Sequence, residues 1–133
     1  MIPVVYVNCD VVDFVSHMMD LSKPIETRTR NTLRAVVGRP VLIAETRHGQ
    51  KPVVRCLVQF GQPLVVESRE AWETVRAAAW IPADSRYDWQ PNTKRKWLYP
   101  IEYVQPLRPF TPPEGVRHGR VWMEYNGEEV QEV

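Results

Sequence analysis

Prolines set the first limit on this fold. The chain has 133 residues, of which twelve are proline and six are glycine. Proline removes a backbone donor and breaks a helix interior, and glycine marks turns. That composition favours many short elements over long helices. An apolar content of 44% still supplies a proper core for one domain of this length. The expectation is a single domain over residues 1–133, with a frayed acidic tail at 126–133. Net charge is +1, so any nucleic-acid role has to come from local patches. Cys9 and Cys56 lie in apolar runs and read as buried free thiols. There is no CxxC and no Cys/His cluster, so neither a metal nor a cofactor is expected. Met1 to Val7 lacks a basic region and is too short for a signal peptide or a membrane span. A cytoplasmic protein with no membrane partner is the expectation.

Taken in order, Val4 to Asn8 reads as a buried strand. Asp10 is placed to cap a helix from Val11 to about Met19, where Val11, Phe14, Val15, Met18 and Met19 recur at helical spacing. Ile25 to Thr29 reads as extended. Asn31 is placed to cap a short helix through Val37, ended by Gly38. Val41–Glu45 and Val53–Phe60 read as a hairpin around a turn at Arg47–Gln50, with Gly49 supplying a positive φ. Leu64–Val66 is a further short strand, and Ser68 opens a helix with Trp72 and Val75 on one face. Trp97–Val104 is strand-like, Pro106 to Pro113 predicts a stiff extended connection, and Arg120–Tyr125 closes the fold. The sum is a small α+β domain on a β-barrel of about five to six strands, flanked by two or three helices.

The most informative stretch is Lys23-Pro24-Ile25-Glu26-Thr27-Arg28. In an extended segment alternate side chains share a face, so Glu26, Arg28 and Arg30 point one way and Thr27 and Thr29 the other. Charges on one face suit a strand lining a polar cleft; a solvated edge strand or an ion-pair network is the plainer reading. This stretch, with the basic segment, Gly38 and the apolar strand after it, resembles the opening motif of ASCH domains in the PUA-like group. The usual opening is Gly-x-Lys-x-x-Glu-x-Arg; Lys23, Glu26 and Arg28 fit, and Leu21 stands where the family has Gly. The resemblance implies a small β-barrel with a cleft and RNA as the inferred ligand. Some ASCH proteins hydrolyse N4-acylated cytidines with a Lys, a Thr three residues later and a distant Glu. Lys23 matches that Lys, but Glu26 occupies the Thr position. Others show ribonuclease activity.

Two further patches bear on ligands. Arg28, Arg30, Arg34, Arg39, Arg47, Lys51 and Arg55 stand against the single acid Glu45, a local excess able to neutralise phosphates. From Arg86 to Tyr99, Tyr87, Trp89, Trp97 and Tyr99 interleave with Arg86, Lys94, Arg95 and Lys96. Aromatics there could stack on unpaired bases while cations hold phosphates, or the aromatics could plug the barrel ends. Arg117 and His118 lie in a basic turn before the last strand and are candidates for the same cleft. No Ser-His-Asp spacing, HExxH, P-loop or dinucleotide fingerprint is present.

Three functions follow. The first is an RNA- or nucleotide-binding module, with Arg28, Arg30, Arg34, Tyr87, Trp89, Lys94, Arg95, Lys96, Trp97, Tyr99, Arg117 and His118 as ligand residues. The second is an enzyme acting on a modified nucleoside or on RNA, with Lys23 and Glu26 catalytic. The third is a partner-binding accessory domain with an exposed Trp surface.

Overall fold

The computed structural model describes residues 1–133. Eight strands form one curled, half-barrel sheet: β1 (Ile2–Asn8), β2 (Ile25–Arg28), β3 (Pro40–Thr46), β4 (Val53–Phe60), β5 (Leu64–Val66), β6 (Lys96–Phe110), β7 (Val116–His118) and β8 (Trp122–Tyr125). The order is β2-β6-β4-β3-β1-β8-β7, with β5 paired to the other edge of β6. Two short α-helices, α1 (Phe14–Met19) and α2 (Arg69–Val75), and two 3-10 turns complete the domain. No helix is long and apolar enough to cross a membrane.

The central strands explain the two cores. β3 is buried along Val41–Glu45 because both faces of the sheet are covered there. Val41 and Ile43 join the larger cluster with α1, Trp72 and Phe60. Leu42 and Ala44 join the smaller one with Leu107, Met123 and Tyr125. β4 alternates instead, burying Val54, Cys56, Val58 and Phe60 and leaving the residues between them half-covered. β3 and β4 pair as the expected antiparallel hairpin, with Gly49 at φ +74° in its turn. Cys9 and Cys56 are buried and free.

Several local expectations are corrected. The first helix begins at Phe14, not Val11, because Asp13 accepts from Ser16 N at 3.2 Å and takes the cap. Asp10 instead accepts from His48 N, 2.8 Å away across the sheet end. Asn31 caps nothing: its amide oxygen accepts the Tyr99 hydroxyl, and only a 3-10 turn at Arg34–Val36 follows. β6 is fifteen residues long: it takes in the expected strand around Pro100 and runs on through Pro106 and Pro109, where a stiff extended connection was expected. Its pairing with β4 shifts register between Ile101 and Tyr103 and between Pro106 and Phe110, and the second irregularity takes in Pro109. The last strand is shorter than expected and gains β7 as a hairpin partner, which helps raise the strand count to eight. The acidic tail meets β6: Arg108 N donates to Gln131 O at 2.9 Å, and Leu107 bridges Glu132.

Candidate functional site

The half-barrel is open where β2 faces β1. β2 pairs only with β6, and β1 pairs with β3 and β8, so no ladder joins the two. The gap is a cleft of about 340 Å³, lined on one side by Tyr6, Val7 and Asn8 and on the other by Glu26 to Thr29. Phe14 and Ile81 give it an apolar patch, and Arg86, Tyr87 and Lys96 add a third wall. Of the charged groups, Arg28 crosses the gap, donating to Tyr6 O at 3.3 Å and lying 3.4 Å from Glu26 Oε2.

Glu26 is almost wholly buried, and its Oε1 accepts from Thr27 N at 3.0 Å. Behind it lies Lys23, whose side chain is fully buried and does not line the cleft. The Lys23 ammonium donates to Ala79 O at 2.6 Å, lies 3.6 Å from Glu26 Oε1 and sits over the Phe14 ring at 4.7 Å. Burial pushes the Lys23 pKa below its ordinary value, against the opposing pull of the Glu26 charge. Of the two groups expected to act together, only Glu26 lines the cleft.

A second buried lysine stands in the third wall. Lys96 Nζ donates to Tyr87 O at 2.6 Å and lies 4.8 Å from the centre of the Trp72 ring. Burial lowers its pKa too, and Asp88 opposes the shift. Asp88 went unremarked in the sequence, yet it is the anchor of this wall. Its carboxylate accepts from Trp72 Nε1 at 2.7 Å, Asp84 N at 2.8 Å and Trp89 N at 2.7 Å. Burial disfavours its charged form, but these hydrogen bonds outweigh that and hold its pKa below the ordinary carboxylate value.

Asn8 is the other residue that sequence reasoning missed. Its Oδ1 accepts from Arg86 at 2.9 Å, from the Tyr87 hydroxyl at 3.1 Å and from Asp10 N at 3.0 Å. A single Asn at a strand end carries no pattern that would single it out.

Beyond Thr29 the cleft meets a broad groove of about 710 Å³, lined by Thr29, Arg30, Asn31, Lys94, Arg95 and Trp97 among others. The groove lining contains no acid, and Arg30, Lys94 and Arg95 make no ion pair.

No protein-family model matches the chain, and no curated protein does. Among solved structures, an ASCH protein from Zymomonas mobilis superposes with a TM-score of 0.65 at 18% identity, covering 82% of this chain and 72% of that one. Two mutant forms of the same protein give the same score and identity. This chain has the ASCH-domain fold.

In the ASCH opening pattern the position of Leu21 is a Gly, and the backbone explains why. Leu21 has φ +65°, in the left-handed region that glycine enters without steric cost, and its side chain is 72% exposed. The turn it makes lets Ser22 N and Lys23 N both donate to His17 O, which delivers Lys23 into the interior.

The remaining expected site residues divide. The seven-cation segment is not one patch. Arg39 pairs with Glu124 at 3.2 Å, Arg47 with Asp13 at 3.4 Å, and Arg55 with Glu45 at 3.0 Å. Arg34 is exposed and lines neither concavity. Trp89 packs against the main core, and Tyr99 is buried in it, with its hydroxyl accepting from Leu33 N. Arg117 lies over the Tyr6 ring at 4.7 Å, beside the cleft rather than in its lining. His118 stacks on Trp122 and sits 3.1 Å from Glu124. Cys9, Asp13 and Glu45 approach closely enough to share an ion. Arg47 already pairs with both carboxylates and Arg55 with Glu45, so the group is a charge-balanced salt cluster.

Proposed function

We propose that this ASCH-fold chain is an RNA- or nucleotide-binding module. The cleft between β1 and β2 takes a base or nucleoside, and the groove beyond Thr29 takes phosphates. The observation that carries this is the continuity at Thr29 between a cleft with aromatic and hydrogen-bonding walls and a groove whose cations lack partners. Tyr87 and Trp97 offer faces on which bases can stack, and Arg30, Lys94 and Arg95 can hold the backbone. Two buried free thiols agree with a cytoplasmic location.

Binding is favoured over hydrolysis because Lys23 lies behind Glu26, out of a ligand's reach. A partner-binding role has less support. Only Trp80 of the tryptophans is exposed, and it is stacked on His17 at 3.6 Å between ring centres.

The test is tryptophan fluorescence titration with nucleosides and short single-stranded RNAs at low salt, followed by chromatography of the ligand. Quenching with the ligand intact is expected. Replacing Arg30, Lys94 and Arg95 by Ala should lower the slope of log affinity against log salt by about 0.7 per cation removed. No response at low salt overturns the reading. An altered ligand turns it towards catalysis, and Glu26→Gln then decides whether that carboxylate is the acid or base.

A further inference from the structure

We propose that the cleft takes the terminal nucleotide of a single-stranded RNA, not a nucleotide inside a continuous strand. This rests on the reading of cleft and groove as one nucleotide site.

An internal nucleotide carries phosphate on both sides, so its strand needs two ways out of the cleft. The cleft and the groove meet at Thr29, so the groove is a concave continuation of the cleft on that side. Its unpaired cations, Arg30, Lys94 and Arg95, suit it to the strand leading in.

At Asn8 the cleft is tied shut. Arg86 and the Tyr87 hydroxyl both donate to Asn8 Oδ1, joining the third wall to the end of β1. Arg86 also donates to the Tyr87 hydroxyl at 2.7 Å, and its guanidinium lies over the Tyr87 ring at 4.9 Å. Arg86 is thus turned inward onto the tie, unlike the free cations of the groove. Tyr87 is held from its other side as well: Lys96 Nζ binds its carbonyl, and its ring meets Phe14 edge-on. A strand passing straight through would have to break these bonds, whereas a strand end meets them as a stop.

The experiment compares a short linear RNA with its covalently closed circle of the same sequence, by fluorescence titration at low salt. The linear form should bind, and the circle should bind about tenfold or more weakly, the scale of one lost base stack. Asn8→Ala, or Tyr87→Phe if the first variant fails to fold, loosens the tie and should narrow the ratio of linear to circular affinity, whatever it does to binding as a whole. Linear strands ending in a 5′- or a 3′-phosphate then identify the end that enters. Equal binding of circle and linear form overturns the proposal and leaves the nucleotide reading standing. Binding of neither overturns that reading, and this proposal with it. A ratio that stays as wide in both variants removes Asn8 as the stop.

Discussion

The Lys23 ammonium lies 3.6 Å from the Glu26 carboxylate, with both side chains out of solvent. Glu26 forms part of the cleft wall, and its countercharge stands behind it on a residue that does not line the cleft. Such a pair adds little net stability over an apolar pair, but removing one member strands the other charge. Lys23→Met and Glu26→Gln are each expected to cost about 3 kcal/mol in urea unfolding. The double variant should cost clearly less than the sum. Costs that add to within about 0.5 kcal/mol would mean that the two groups are not coupled.

Lys96 makes stability depend on alkaline pH in a predictable direction. Its folded pKa lies below the ordinary 10.5, so between the two values the unfolded chain binds more protons. Its favourable contribution is therefore full above 10.5 and is lost as pH falls through the lowered folded value. Burial raises the pKa values of Tyr6, Tyr99, Tyr125, Cys9 and Cys56, which act with the opposite sign, so the measurement is a difference. The stability of the native protein minus that of Lys96→Met, from urea midpoints, should rise with pH across this window. A flat difference would place the Lys96 amine in a water-like setting.

Leu21→Gly should stabilise the protein. The left-handed backbone costs a residue with a side chain about 1 kcal/mol, and an exposed Leu21 side chain loses little packing when removed. Glycine's extra freedom in the unfolded chain offsets part of that. A gain of about 0.5–1 kcal/mol in urea unfolding is expected. A loss would mean that Leu21 makes apolar contacts that outweigh its backbone strain.

Burial holds the Cys9 thiol above its ordinary pKa and pushes Cys56 up to about 12. Only a thiolate reacts readily with alkylating reagents. Both thiols should stay unmodified in the native protein and react once urea unfolds it. Mass spectrometry at intermediate urea concentrations should give a labelling midpoint that coincides with the fluorescence transition. Labelling of Cys9 at lower urea would show that the α1 end opens on its own.

The central hairpin was legible because β3 and β4 carry the signals that local sequence encodes: apolar runs, alternation and a glycine in the turn. The charged stretch was legible as a cleft strand, but its period of two was not: Thr27 and Thr29, expected on the opposite face, line the cleft with Glu26 and Arg28, and Arg30 lies in the groove instead. What could not be read was which partner each charge would find. Arg39, Arg47 and Arg55 look identical in sequence to Arg30, and tertiary contacts alone separate the paired from the free. The prolines misled for a related reason. A proline excludes a donor at one position, but only the sheet's register decides whether that position needed one. Asp88 and Asn8 act as hubs for partners distant in sequence, and a single polar residue advertises no such role.

The fifteen residues of β6 pair with β2, β4 and β5, and without them β2 and β5 have no hydrogen-bonding partner in the sheet. On a ribosome, the Lys-x-x-Glu-x-Arg strand emerges early and then waits, unpaired, until residues 96–110 have left the exit tunnel. The parallel pair β1–β3 and its hairpin with β4 can assemble first, whereas the cleft is a late product of synthesis. A nascent chain stalled before Lys96 would carry the Lys-x-x-Glu-x-Arg segment without the strand that seats it, so the cleft forms only once residues 96–110 have emerged.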